Sequence, residues 1–285
     1  MQQHATHQHW TEIIKPEISL FQLNLKEVWR YRDLLTLLVK RDFISTYKQT
    51  ILGPIWFFIQ PLLTTLMFVI VFGRIAGIST DGVPQILFYL AGITVWTYFS
   101  ECLNKTATVF KDNAAIFGKV YFPRLIMPLS IVISNLVKLG IQFLLFLCFW
   151  LYFFVKGGSI HPNWSVLLFP LLVMMMAALG LGFGLVVSAM TNKYKDLIFL
   201  LTFAVQLAMY ATPVIYPLSG IAPRYRWLIQ ANPMTSIVEA FRYGFLGSGV
   251  LDWWGLLYSA VFALVIMISG ALVFNKVEKT FMDTV

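Results

Sequence analysis

Ionisable residues are rare in the long apolar stretches of this sequence, so each one found there is a candidate for chemistry. The acids in or near those stretches are Glu101, Glu239 and Asp252. Lys138 is the most deeply placed base, and Asn135 and Gln142 flank it at a spacing that puts all three on one side of a helix. Such a polar stripe is typical of a helical bundle interior, but a lysine without a carboxylate is a weak proton relay.

No known catalytic pattern accompanies these residues. The sequence contains no P-loop, no zinc-protease HExxH, no GxSxG and no dinucleotide-binding GxGxxG motif. His4, His7 and His9 lack a further ligand nearby, so a solvated tail is favoured over a metal site. Cys102 and Cys148 lie in apolar runs and are expected to be small buried residues. We therefore expect no catalytic, metal or cofactor site in this chain.

The composition predicts an all-α integral membrane protein. Hydrophobic residues make up 59% of the 285-residue chain and charged residues 12%, whereas a soluble domain carries about 25% charged residues. The apolar runs are continuous and long enough for helices, which excludes the alternating pattern of a membrane barrel. Six transmembrane segments are predicted, at 52–73, 85–104, 126–155, 166–190, 197–217 and 253–274. We expect an N-terminal cytoplasmic region over 1–50 and one membrane domain over 51–285, without a cleavable signal peptide.

The distribution of Lys and Arg predicts the orientation. With the N-terminus inside, fifteen of the 21 basic residues fall on the cytoplasmic side, so both termini are expected there. The net charge of +8 then reflects topology and contact with anionic lipid, and nucleic acid is not an expected partner.

Two segments on the expected cytoplasmic side have distinctive patterns. Residues 25–50 place Tyr31, Leu34, Leu35 and Leu38 on one helical face, which predicts an amphipathic helix at the membrane interface. The loop 105–124 keeps large apolar side chains among its charges, and we interpret it as a short helix offered to a partner protein. Packing of this loop onto the chain's own interfacial helix is the alternative.

Aromatic residues provide a hypothesis for a transport path. Tyr89, Trp96 and Phe99 lie along the second predicted span, and aromatic faces stack on the C–H faces of sugars. We interpret them, with Lys138, as channel-lining residues along which a glycan could slide. The alternative is a lipid-facing aromatic belt.

The region 217–252 contains two short helical patterns that cannot span a membrane. In the second, NPMTSIVEAFRYGFLG, Asn232 and Gly247 are suited to the two caps, and Glu239 and Arg242 are close enough to pair on one face. We predict a re-entrant helical hairpin between the fifth and sixth spans at the channel exit, which also includes Arg224. Two helices lying flat on the outer surface are the alternative.

Several motifs together resemble a known family. They are WRYRDLLTLLVKRDF followed by YKQTILGPIWFFIQPL, then NAAIFGKVYFPRLIMPLS, and finally TPVIYPL with NPMTSIVEAFRYGFLG. In this order they resemble the membrane subunit of type-2 ABC exporters, specifically the polysaccharide and O-antigen exporters of lipopolysaccharide assembly and their teichoic-acid relatives. The resemblance covers about 25–274.

The resemblance implies an inner (plasma) membrane permease that exports a lipid-linked polysaccharide. It implies a homodimer with two copies of a separate ABC ATPase, which would bind the ATP and Mg. The ATPase-coupling helix would include Asp112, Asn113, Ile116, Phe117 and Lys119. The helix over 25–50 would form a cytoplasmic gate, and the basic residues there that could meet the lipid diphosphate are Arg30, Arg32, Lys40 and Arg41.

Two other functions remain open from the sequence. An exporter of teichoic acid or of small hydrophobic compounds would use the same fold, although a small compound needs a closed apolar pocket. An integral-membrane glycan-processing enzyme is disfavoured, because no paired acids or nucleophile–base set is present.

Overall fold

The computed structural model describes residues 25–48, 53–117, 122–191, 194 and 196–281, and within these ranges it contains helices and no strand. The tail histidines and Lys119 lie outside them. The α-helices are α1 (Leu25–Arg30), α2 (Arg32–Tyr47), α3 (Trp56–Phe68), α4 (Gln85–Ala107), α5 (Val109–Asp112), α6 (Ala114–Phe117), α7 (Ile126–Val155), α8 (Phe169–Thr191), α9 (Leu197–Tyr210), α10 (Pro223–Gln230), α11 (Pro233–Leu246) and α12 (Trp253–Phe281). Tight 3-10 turns occur at Gly53–Ile55, Trp164–Leu168 and Leu218–Gly220, and π-helical turns at Val69–Ile75.

Five helical stretches in the described ranges are long and apolar enough to cross a membrane. They are Gly53–Ile75, Gln85–Ala107, Ile126–Val155, Trp164–Thr191 and Trp253–Val277. The fifth predicted segment differs, because α9 has 14 residues and ends at Tyr210, which gives a length of about 21 Å. Pro213 and Pro217 follow closely and cannot continue a helix. The prediction of one continuous helix over 197–217 was therefore wrong.

Helix α4 is the centre of the bundle. It packs against α3, α7, α8 and α11. Of the residues in its most apolar 18-residue stretch, 78% are buried, against 17% in the corresponding stretch of the first span. The chain therefore has one inner helix, and the helices around it each leave one face on the outer surface of the bundle.

Three glycines in α8 allow its backbone to approach two neighbours closely. A Cβ at Gly180 would lie 2.7 Å from the Cβ of Cys102 in α4, and one at Gly184 would meet Thr106 at 2.5 Å. On the opposite side, a Cβ at Gly182 would lie 2.7 Å from the Ile266 backbone in α12. Small residues at such positions permit the close packing that holds membrane helices together.

The N-terminal helices lie against the bundle as the apolar face predicts. Leu38 is buried, and Tyr31, Leu34 and Leu35 pack on the core, with α2 in contact with α7. The charged residues of α2 remain at its surface.

The three phenylalanine side chains in the described part of the 105–124 loop do not face outward, so their predicted exposure was wrong. Phe110 and Phe117 are each 2% exposed and Phe122 5%. Phe110 stacks on Phe274 of α12 with ring centroids 4.6 Å apart. Burying these aromatic rings fastens α5 and α6 to the chain's own helices, and the exposed surface of the two helices is formed by smaller and charged residues, including Lys111.

The two short helices before α12 have unlike environments. No residue of α10 is buried, whereas most of α11 is buried against α12, α4, α8 and the turn at Trp164–Leu168. The predicted caps of α11 are present: the Asn232 side chain accepts a hydrogen bond from the Met234 amide, and Gly247 ends the helix at φ +72°.

Candidate functional site

Helix α11 carries two charged side chains into the interior of the bundle. Arg242 is 1% exposed and Glu239 is 3% exposed. Their side chains lie on one helical face, and Glu239 Oε1 is 3.8 Å from Arg242 Nη1. The ion pair predicted from their spacing is therefore present, but it is enclosed by protein. The other residue of the predicted exit group, Arg224, is exposed on α10, where its guanidinium lies 4.6 Å from the centroid of the Tyr225 ring.

Arg242 joins three parts of the chain through backbone carbonyls. Its guanidinium donates to Pro213 and Val214 in the turn after α9, the latter at 2.6 Å. It also donates to the Phe88 carbonyl of α4 at 3.3 Å and lies 3.6 Å from the centroid of the Phe88 ring. The Pro213 and Val214 carbonyls lie in a turn outside the helices, so the arginine satisfies them in place of water, whereas the Phe88 carbonyl belongs to α4. Arg242 thus ties α11, α4 and the end of α9 together.

A glycine in α4 makes room for this tie. A Cβ at Gly92 would lie 2.8 Å from the Val214 carbonyl oxygen and 2.9 Å from Arg242 Nη2. Any side chain at this position would force the turn away from α4. The sequence signal for the contact was the glycine within an otherwise bulky apolar helix.

The Glu239 carboxylate supports the same region from the other side. Its Oε2 accepts a hydrogen bond of 3.4 Å from the Val250 amide in the connection to α12. The Arg242 guanidinium is charged at neutral pH, so it places a positive charge beside the Glu239 carboxylate.

The aromatic residues predicted to line a channel are part of the packed core instead. Tyr89 is fully buried, Trp96 is 5% exposed and Phe99 is 6% exposed. Tyr89 meets the rings of Phe68 and Phe88 edge-on. The three side chains face protein because α4 is enclosed by its neighbours, and their role along a glycan path stays a prediction.

A second polar cluster lies between α4 and α7, and it includes Lys138. Lys138 Nζ is 3.1 Å from Glu101 Oε2, and Lys105 Nζ is 2.7 Å from the same oxygen. The interpretation of Lys138 as a lysine without a carboxylate was therefore wrong. Asn135 is buried on the Lys138 side, as predicted, and its amide oxygen accepts a hydrogen bond from Lys105 at 3.4 Å. The spacing of Glu101 and Lys105, four residues apart, was the signal that could have indicated this cluster.

The predicted gate and coupling residues occupy the end of the bundle near this cluster. The four basic gate residues, Arg30, Arg32, Lys40 and Arg41, are all exposed. Arg41 pairs with Asp42 at 2.8 Å, and Arg32 lies 3.9 Å from Asp33.

The coupling residues form a compact double turn. Asp112 is exposed and accepts a hydrogen bond of 2.6 Å from the Thr108 hydroxyl. Asn113 donates to the Val109 carbonyl at 3.0 Å. Ile116 is half-buried and Phe117 is buried. The double turn is therefore held by its own hydrogen bonds and by aromatic packing underneath.

Five apolar helical stretches of membrane-crossing length within the described ranges, one of them the buried central helix α4, define a multi-pass helical membrane protein. Residues 33–246 match the family model described as ABC-2 type transporter. The chain is 27% identical over 264 residues to the O-antigen export system permease protein RfbA of Myxococcus xanthus, covering 92% of this chain and 98% of that protein. It is 26% identical to the protein of the same name from Klebsiella pneumoniae, covering 88% and 94% of the two chains. The capsule polysaccharide export inner-membrane protein CtrC of Neisseria meningitidis is 22% identical, with 85% and 90% covered.

Because the family model covers most of the sequence, this chain belongs to the ABC-2 type transporter family. Its resemblance to that family in the sequence motifs is thereby confirmed.

Proposed function

We propose that this chain is the membrane permease of an exporter that moves an O-antigen-like polysaccharide across the inner membrane. The observation that carries the proposal is similarity along nearly the whole length of proteins named O-antigen export permeases. A capsule polysaccharide exporter among the relatives extends the same substrate class. The chain acts as a transporter subunit, and ATP with Mg is bound and hydrolysed in a separate ABC ATPase, present in two copies.

The bundle has six crossings in this proposal, with α9 as the short one. Thr191 at the end of α8 donates to the Ala107 carbonyl at the end of α4, so α9 begins on that side. Val214 in the turn after α9 lies against Gly92 of α4, and the Arg242 side chain that binds Val214 also donates to Phe88, near the opposite end of α4. The segment from 197 to 214 therefore extends over most of the length of α4, although only its first part is helical.

The same contacts support a re-entrant arrangement of α10 and α11. Arg242 reaches Phe88 and approaches Gly92, which lie three and seven residues inside α4, and seven residues correspond to about 10 Å along a helix. Helix α11 thus lies below the outer end of α4, where irregular backbone is tolerated because protein surrounds it.

The orientation follows from the positive-inside bias, with both termini in the cytoplasm. Structural support comes from elements that meet at one end of the bundle. The α5 ring of Phe110 stacks on Phe274 near the end of α12, and Asp42 of α2 shares a cavity with Lys105 of α4. The N-terminal helices, the α5–α6 turn and the end of α12 therefore lie on one side.

A homodimer is supported by the helices that bury little of their surface in one chain. Val205 is the buried residue of α9, while Phe199, Phe203 and Leu207 are 80%, 58% and 51% exposed. We place the second copy against this face and the first span, and the polysaccharide path between the two copies.

The ATPase docks on the double turn of α5 and α6 in this proposal. The exposed residues Lys111, Asp112 and Ala115 form its outer surface, and the buried aromatic rings beneath transmit the movement to the bundle. The cargo is a lipid-linked glycan that enters beside the gate helix α2.

Deletion of the gene followed by analysis of surface polysaccharide tests the function. We expect loss of the surface polymer, accumulation of lipid-linked polymer inside the cell, and restoration of both by the wild-type chain. Normal surface polysaccharide without internal accumulation would overturn the proposal. Normal polysaccharide with a new sensitivity to apolar toxins would instead identify an exporter of small hydrophobic compounds.

A further inference from the structure

A cavity of about 190 Å³ lies between α2, α4 and α7, and the proposed path between two copies does not use it. Its lining includes Lys105 of α4, Ser134 and Lys138 of α7, and Asp42 and Ser45 of α2. One water molecule needs a volume of about 10–15 Å³. The cavity therefore has room for a ligand group that makes several polar contacts.

The charged groups around this cavity sum to one surplus positive charge. Both lysine ammonium groups contact the same oxygen of Glu101, at 2.7 and 3.1 Å. Asp42 at the rim is paired with Arg41 at 2.8 Å. The Lys138 side chain is 17% exposed within a membrane-length helix, where a charge without full compensation is unfavourable. An anion in the cavity would complete the compensation.

A buried hydroxyl in the cavity lacks a partner. Ser134 is 8% exposed, and its Oγ has no hydrogen-bond partner among the described residues. It lies one helical turn before Lys138, on the same face of α7. Ser134 therefore adds a hydroxyl on the same side of the cavity as Lys138. Two ammonium groups and a hydroxyl donor form a set that suits a phosphate group.

The surroundings favour a phosphate that belongs to a lipid. Phe43 and Ile131 add apolar surface to the cavity wall. A phosphate in the cavity would therefore have apolar side chains beside it, against which the start of a hydrocarbon chain could pack.

We propose that this cavity binds the phosphate headgroup of a membrane lipid. If the chain exports a lipid-linked glycan, as proposed above, the site holds the phosphate of that carrier during entry; this last step rests on the proposed function. The site differs from the exposed arginines and lysine of α1 and α2 that the sequence indicated for a diphosphate.

Lipid retention by the purified full-length chain tests the proposal. Native mass spectrometry after exposure to phosphatidic acid or phosphatidylcholine measures how many lipids of each kind remain bound. We expect preferential retention of phosphatidic acid, reduced at least about tenfold by Lys138→Met and by Lys105→Met, because each removes a charged hydrogen-bond donor. Ser134→Ala should reduce it by a smaller factor.

Matched variants keep the result interpretable. Lys156→Met removes the same charge from an exposed position just after the end of α7 and should retain phosphatidic acid like the wild type. Lys138→Arg preserves the charge and should preserve most of the retention. If Lys138→Met loses its fold, Lys105→Met and Ser134→Ala still report on the cavity. Equal retention by the wild type and by folded cavity variants would overturn the site.

A binding measurement with inorganic phosphate distinguishes a lipid headgroup from free phosphate as the anion that the cavity binds. Binding of inorganic phosphate that depends on the two lysines, without preferential retention of phosphatidic acid, would overturn the lipid assignment. Because these measurements involve no transport, the outcome is independent of the surface-polysaccharide assay. If a strain exports the polysaccharide but its purified chain shows no preference for phosphatidic acid, only the cavity proposal is overturned.

Discussion

Replacing Arg242 with methionine should strongly destabilise the protein, because one side chain satisfies three backbone carbonyls in the interior. The change leaves the carbonyls of Pro213, Val214 and Phe88 without this donor and leaves Glu239 without its counter-charge. Breaking a buried ion pair from one side costs about 3–5 kcal/mol. For a chain of this size that corresponds to a Tm lower by about 10 °C.

Thermal unfolding of the purified protein in detergent measures this effect, with Arg224→Met as the matched control. Arg224 lies on the neighbouring short helix but is exposed, so its replacement should change stability by less than about 0.5 kcal/mol. Arg242→Lys should lie between the two, because an ammonium group cannot reproduce the guanidinium fork. Equal melting of the Arg242→Met and Arg224→Met proteins would refute the assigned role of Arg242 as a tie between helices.

Three further changes test the packing. Gly92→Val should displace the turn after α9 and lower the Tm. Gly140→Val, at a position with open space around the Cβ, should have a much smaller effect. Equal melting of the two variants would contradict the close approach of the turn to Gly92. Tyr89→Ala should cost about 3–5 kcal/mol as a core truncation, while Tyr89→Phe should melt like the wild type because the buried hydroxyl has no partner among the described residues; a large loss in the phenylalanine variant would show that the hydroxyl is bonded. Phe110→Ala should remove the stack on Phe274 and loosen α5, which faster hydrogen exchange in 108–117 would detect; unchanged exchange would show that α5 is held by other contacts.

The helix positions and the caps of α11 could be predicted because they depend on local chemistry. Continuous apolar runs specify spans, and Asn232 and Gly247 mark the ends of a short helix through their own backbone and side-chain preferences. The packed face of α2 was predictable for a related reason, since Tyr31, Leu34, Leu35 and Leu38 recur at the spacing of one helical face.

The burial of individual aromatic residues could not be predicted from the sequence. A lipid-facing side chain and a core side chain are both apolar in a membrane protein, so hydrophobicity does not separate Tyr89, which is buried, from Phe199, which is exposed. The partner of Lys138 depends on the register between α4 and α7, which neither helix encodes alone. The end of α9 was missed because its apolar run continues past Tyr210, although the two prolines that follow oppose a helix.

The glycine contacts of α8 have a mechanical consequence. A Cβ on Gly270 of α12 would lie 2.5 Å from the carbonyl oxygen of Gly182. A Cβ on Gly184 would lie equally close to the Cβ of Thr106 in α4. Helices in such contact cannot slide past one another without collision, so α4, α8 and α12 should move as a single rigid slab. Because α5 is fixed to α12 through Phe110 and Phe274, a force on α5 should displace all three helices together.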